Sequence, residues 1–193
     1  MKRLFTILVF VLSVSIVTFS QDFAKKGIWE LGGSVGFTSS TSVSADINDP
    51  NGATTTFSIS PEAGYFITDN FELSLLPFSF ISSSYHTYSS SQFNFLLAPT
   101  WNFEMHSNIY PYIQALIGYG TESFKNDVPY GYDYTVSGAD YGFQAGIKLQ
   151  VAKSSILNFG LSYLMTNRKQ SDETGRFGDN ILQVMAGFSV FIR

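Results

Sequence analysis

The chain has 193 residues, of which 13% are charged and 17% aromatic, with 16 glycines, no cysteine and a formal net charge of −4. That length accommodates one domain with a sizeable core, and the lack of cysteine excludes a disulfide framework, a thiolate metal site and a lipidated N-terminal Cys. An acidic balance argues against nucleic-acid binding, which needs a basic footprint, while few charges, against roughly 25% in soluble domains, and many aromatics point to a lipid-facing surface.

Met1-Lys2-Arg3 opens the chain, followed by an apolar run from Leu4 to Phe19 interrupted only by Ser and Thr. The run is shorter than the roughly 20 residues of a spanning helix. Two cations, an apolar centre and the small residues Thr18 and Ser20 predict a secretory signal peptide over residues 1–20, cut before Gln21. Its removal leaves nine cations against 15 acids in residues 21–193, a net charge of −6.

A polar lead, Gln21 to Gly27, precedes the first predicted strand, Ile28 to Thr38, where Trp29, Leu31, Gly33, Val35 and Phe37 oppose Glu30, Gly32, Ser34 and Gly36. Such period-two alternation marks a strand with two unlike faces. The polar stretch Ser39–Ala53, with its turn-forming residues 48–52, leads to a second strand, Thr54–Phe66. A tight connection, Ile67–Asn70, enters a third, Phe71–Ser82. There the parity breaks at Leu75-Leu76-Pro77, which reads as a β-bulge because Pro cannot donate to the ladder. Ser83–Ser91 reads as a loop, Gln92–Phe103 as the fourth strand and Glu104–Ile109 as a turn. Tyr110–Thr121 is the fifth strand and Glu122–Ser137 the next loop. The sixth strand, Gly138–Val151, alternates most strictly: Tyr141, Phe143, Ala145, Ile147, Leu149 and Val151 on one parity, Asp140, Gly142, Gln144, Gly146, Lys148 and Gln150 on the other. Ala152–Ser155 turns into the seventh strand, Ile156–Asn167. A charged loop, Arg168–Gly178, leads to the eighth, Asp179–Ile192.

Eight strands, each long enough for the roughly 9–11 residues that a tilted strand needs to cross a bilayer, predict an all-β, eight-stranded antiparallel up-and-down transmembrane barrel. The odd-numbered connections have 15, 9, 16 and 11 residues and the even-numbered ones 4, 6 and 4. This alternation fits short periplasmic turns and longer surface loops, with both termini periplasmic. Trp29, Tyr65, Phe71, Trp101 and Phe103 gather near the short-turn end, and Phe37, Phe57, Phe93, Tyr119, Tyr141 and Tyr163 near the other, as two aromatic girdles. A soluble barrel with an apolar interior would share the alternation, but its outer face would carry many more charges than these strands hold.

Three stretches then carry a resemblance: Tyr110-Pro111-Tyr112 at the opening of the fifth strand, Gly118-Tyr119-Gly120 within it, and the glycine-spaced Gly187-Phe188-Ser189-Val190. With the pattern of the whole mature chain, they resemble the small outer-membrane β-barrel family, which includes OmpX-like proteins and the OmpA transmembrane domain. The resemblance implies an up-and-down barrel, for many members without established enzymatic activity. Family members usually end on an aromatic residue that the barrel-insertion machinery reads. Here Phe191 is followed by Ile192 and Arg193, and by parity it points inward.

Parity also places Glu30, Glu62, Glu72 and Lys148 on the inner face, near the periplasmic end. An eight-stranded interior is just wide enough for side chains to fill, and buried carboxylates there must be paired or protonated. Two readings follow: an ion-paired plug that holds the lumen shut, or a gate for small ions when the Lys148 pairing rearranges. His86 and His106 fall on opposite sides of the membrane and cannot share a site. A lipid-modifying Ser–His enzyme built on His86 lacks a nucleophile elbow or an orienting acid. Asp46, Asn48, Asp49 and Asn51 lack the ordered ladder of a calcium loop, and no phosphate-cradling spacing occurs. Neither a metal nor another cofactor is expected. Loop residues Tyr85, Tyr88, Tyr130, Tyr132 and Tyr134 offer area and hydroxyls for an unknown surface ligand. The expected partners are outer-membrane lipid, lipopolysaccharide and the barrel-insertion machinery, around a non-enzymatic monomer.

Overall fold

Strands that alternate apolar and polar residues must cover one face with protein and the other with lipid or water, and closing the sheet satisfies every strand edge at once. The computed structural model describes residues 23–41, 53–85, 88–105, 108–126, 133–169 and 176–193. The predicted signal peptide lies outside them. The strands are β1 (Trp29–Thr41), β2 (Ala53–Thr68), β3 (Phe71–Tyr85), β4 (Tyr88–Asn102), β5 (Ile109–Asn126), β6 (Tyr134–Ala152), β7 (Ser155–Lys169), β8 (Arg176–Phe177) and β9 (Asn180–Ile192). Each long strand pairs antiparallel with its neighbour in sequence, and β9 pairs with β1 from Trp29↔Ile192 to Phe37↔Val184, closing an eight-stranded barrel. The two-residue β8 is a side ribbon on β7.

The faces settle which way round the barrel is built. Outward residues are apolar and exposed, with Phe37 at 59%, Ile117 at 59% and Val184 at 63%. Inward residues are largely polar and buried, among them Ser58, Asn94, Thr100, Gln114 and Asp140. A water-soluble barrel would show the reverse. At the end carrying both termini, Trp29 packs on Tyr65 with centroids 4.9 Å apart, and Phe71 on Trp101 at 6.1 Å. Trp29 and Phe37, Tyr65 and Phe57, and Trp101 and Phe93 each stand eight residue steps apart. At about 3.3 Å per residue and a tilt of about 40° the two girdles stand ~20 Å apart, comparable to the roughly 25 Å apolar band of outer-membrane barrels.

The bulge in β3 is present. Leu76 opposes Leu96 but Ser79 opposes Asn94, so β3 holds one residue more than β4 over this interval, and one more than β2 between Leu75↔Ala63 and Phe80↔Ile59. Pro77 and Phe78 are both exposed there.

The connections differ from expectation at the end opposite the termini. Ser83–Ser91 is not a loop: Ser82↔Ser91, Ser83↔Ser90, Ser84↔Ser89 and Tyr85↔Tyr88 continue the ladder, leaving residues 86–87 as the connection. Similarly β5 and β6 run on through Phe124↔Tyr134, and only residues 127–133 join them. Extending a formed antiparallel ladder adds backbone hydrogen bonds without a new nucleation step, which overrides a Ser- and Gly-rich composition. At the terminal end the connections are short, residues 69–70, 103–108 and 153–154. Residues 42–52, and 170–179 with β8 among them, remain long connections at the opposite end, and the strands there also overhang the girdle, as β5 does from Tyr119 to Asn126.

Candidate functional site

The lumen is layered, and the alternation of each strand decides which side chains enter which layer. Glu30 on β1, Glu62 on β2, Glu72 on β3 and Lys148 on β6 all project inward near the terminal end. Lys148 Nζ reaches across to Glu30 Oε2 at 2.7 Å and Glu72 Oε2 at 3.0 Å, with all three side chains at most 5% exposed. Glu30 Oε1 accepts from Ser189 Oγ at 2.6 Å, and Glu72 Oε1 from Ser74 Oγ at 3.0 Å. Glu62 Oε1 accepts from Gln114 Nε2 at 2.8 Å, which also lies 2.9 Å from Thr100 Oγ1. Tyr112 covers the ammonium, its ring centroid 5.5 Å from Nζ, and its hydroxyl accepts from Gln144 Nε2 at 2.6 Å. Buried ions need this density of partners, because each unsatisfied lone pair in a water-poor interior adds to the desolvation penalty.

Gly64 shows how tightly the layer is built. A Cβ there would collide with Glu72 Oε1 and come within 2.6 Å of Ser74 Oγ, so the glycine on β2 leaves the room in which the Glu72 carboxylate sits.

Apolar layers flank the charges. Towards the termini, Phe23, Ala24, Ile28, Phe66, Tyr110, Ile156 and Phe191 form a buried cluster. On the other side lie Leu76, Ile81, Leu96, Ala98, Leu116 and Leu164, with Ile181 against them. Between the charges and these leucines, a cavity of about 20 Å³ touches Ser34, Ser60, Glu62, Ser79, Gln144 and Gln183. It has room for about one water molecule.

A second charged layer, not anticipated from the sequence, lies beyond the leucines. Arg168 is fully buried and pairs through Nη1 with Asp140, with the Gly138 carbonyl 3.2 Å away. With its amide nitrogen turned towards Asp140, Asn94 donates to Asp140 Oδ2 at 2.9 Å and accepts from Gln92 Nε2 at 2.9 Å. Glu122 is a further buried acid of β5. Arg168 and Glu122 were both expected in loops. The inward parity of β7, Ile156 through Thr166, carries on one step past the predicted strand end to Arg168, and this was the available signal.

The structure places the predicted recognition tyrosines differently from one another. Tyr85 closes β3, Tyr88 opens β4 and Tyr134 opens β6, so all three are strand residues instead of loop residues. Tyr134 is exposed and stacks on Phe124, centroids 4.8 Å apart and planes 18° apart. Tyr130, Tyr132, His86, His106 and the Asp46–Asn51 stretch lie outside the described residues. Among the described residues, no group of three His, Cys, Asp or Glu is arranged to hold a metal ion.

An all-antiparallel closed barrel with an apolar outside, aromatic girdles and ion pairs across a filled lumen defines a small transmembrane β-barrel protein. A family model, the outer membrane protein beta-barrel domain, matches residues 6–189. The chain belongs to that family, whose place is the bacterial outer membrane. Comparison with curated protein sequences returns no match. Among solved structures it is similar to neisserial surface protein A (TM-score 0.61, 16% identity, 86% of this chain and 97% of that one). It is also similar to OprG from Pseudomonas aeruginosa (0.53, 13%, 88% and 97%) and to the N-terminal β-barrel domain of Pseudomonas aeruginosa OprF (0.52, 14%, 86% and 98%). At these identities the likeness concerns the fold.

Proposed function

We propose that the protein is a non-enzymatic outer-membrane barrel whose lumen is closed by its own side chains, serving as a structural or surface-interaction element through its loop end. The observation that carries this reading is Lys148, held between Glu30 and Glu72 across the lumen. Above it stand a leucine layer and the Arg168–Asp140 pair. The cavity between the charged layer and the leucines, about 20 Å³, admits about one water and no hydrated ion. Short turns at the terminal end and strand overhang at the other support periplasmic termini and a surface-facing loop end. There Tyr134, exposed and stacked on the half-buried Phe124, offers an aromatic contact to a surface ligand. The exposed apolar band suits the hydrocarbon and lipopolysaccharide of that membrane, and a closed sheet needs no second copy to cover an edge. Its assembly calls for the barrel-insertion machinery.

A second reading, a narrow channel for small ions, draws on the uneven charge of the layer. Three carboxylates face one ammonium, so Lys148 could exchange one partner for Glu62. Conductance of the purified protein in planar lipid bilayers separates the two. The closed barrel gives no reproducible unitary openings. Openings that change in size or frequency on Lys148→Ala would overturn it in favour of the channel.

A further inference from the structure

The six residues ahead of β1 do not leave the barrel along its axis; they fold across its mouth. Phe23 is 2% exposed and Ala24 1%. The Phe23 ring meets Phe66 edge-on at 5.3 Å, Tyr110 edge-on at 4.9 Å and Phe191 at 5.5 Å. Lys148 Nζ lies 5.3 Å from the same ring, so this ring forms the floor of the charged layer. Without it, the inward ends of β2, β5 and β9 would present Phe66, Tyr110 and Phe191 to water. A strictly polar lead would leave that apolar socket empty.

The segment is fixed by turns, not by the ladder alone. Ala24 and Gly27 take positive φ, 63° and 87°, which folds the chain back on itself. The Ala24 carbonyl accepts from Asn70 N at 2.8 Å, Lys26 N donates to Asp69 Oδ1 at 2.9 Å, and Gly27 N donates to the Phe66 carbonyl at 2.9 Å. Outside the mouth, Lys25 Nζ lies 3.9 Å from Asp69 and 3.5 Å from Glu104, bridging the β2–β3 and β4–β5 turns. An L-residue in the left-handed region is held there only by surrounding structure, and these contacts supply it at Ala24.

We propose that residues 23–28 are a built-in stopper: Phe23 seals the terminal mouth of the lumen and keeps water and solutes from the Lys148 layer. The proposal rests on the closed-lumen reading. Ala24 and Ile28 are buried in the same cluster, and Gly27 and Ile28 bond to the Phe66 backbone, so the segment is anchored beside the ring, and removing the Phe23 ring opens the mouth without unzipping any pair of barrel strands.

The chain has no cysteine of its own, so one introduced thiol reports on the layer behind the stopper. Ser189→Cys, at a site 2% exposed and next to Glu30, is reacted in lipid vesicles with a small charged methanethiosulfonate. Folding is monitored by the heat-dependent gel shift. With Phe23 in place, labelling is expected to be slow, and Phe23→Ala accelerates it at least about tenfold. Lys25→Glu sets an acid against Asp69 and Glu104 while leaving every side chain of the socket intact. It accelerates labelling by a smaller factor and decides the matter if Phe23→Ala does not fold. Slow labelling unchanged in the folded variants overturns the stopper and leaves the closed lumen standing. Fast labelling with Phe23 present overturns the closed lumen itself.

Discussion

At the residue scale, the charged layer is held by mutual dependence. Lys148 is the ammonium shared by Glu30 and Glu72, and its removal leaves two buried carboxylates without a cation. Breaking a buried ion pair from one side costs about 3–5 kcal/mol, whereas replacing all members with apolar groups of similar volume is often near neutral, since desolvation disappears with the attraction. Lys148→Ala is therefore expected to lower stability by about 3–5 kcal/mol, and the combined Glu30→Leu, Glu72→Leu, Lys148→Met variant by much less. Urea unfolding in lipid vesicles, followed by the gel shift, measures both. A loss under about 1 kcal/mol for Lys148→Ala would mean that water reaches the layer. The inward direction of these four charges was legible from alternation, because parity alone selects the face. Their partners were not: Ser189, Gln114 and Tyr112 come from strands whose height relative to one another depends on barrel shear. Phe23 was hidden as well, since a lone aromatic in a polar lead has no period to reveal its direction.

At the scale of elements, β3 and its neighbours separate what a pattern discloses from what it conceals. The bulge was visible because Pro77 interrupts both the alternation and the supply of donors. The outer half of the β3–β4 hairpin was not, because Ser-on-Ser pairs carry no apolar face for periodicity to register. Bulge register yields a sharp expectation. Inward residues of β3 fall at Glu72, Ser74, Leu76, Ser79 and Ile81, with the single extra residue between Leu76 and Ser79. Deleting Phe78 restores regular alternation and keeps every inward side chain inward. Deleting Leu73 instead inverts the strand on one side of the cut, since a one-residue slip exchanges the faces. The Phe78 deletion is expected to fold into vesicles with a normal gel shift and the Leu73 deletion to fail. Equal folding of the two would mean that the β3 register is set elsewhere than by its faces.

For the whole molecule, the barrel is an inversion of a soluble protein: Glu30, Glu72, Lys148, Asp140 and Arg168 are buried in its centre and its apolar side chains face outward, so the surrounding solvent decides the energetics of every outer position. Leu97 lies four residues from both Trp101 and Phe93, midway between the girdles, 49% exposed and flanked by Leu75 and Ile117. Phe103 lies at the terminal girdle, 43% exposed. Almost equal exposure would make arginine equally tolerable at both positions if water were outside, with changes within about 0.5 kcal/mol. In a bilayer the cost depends on depth, about 2–4 kcal/mol at the midplane and about 0–1 near the interface. Leu97→Arg is thus expected to destabilise the barrel in lipid vesicles by about 2–4 kcal/mol and Phe103→Arg by no more than about 1. Equal effects at the two sites would mean that the girdles do not mark the edges of the hydrocarbon, and the depth assigned to the Lys148 layer just inside the terminal girdle would shift with them.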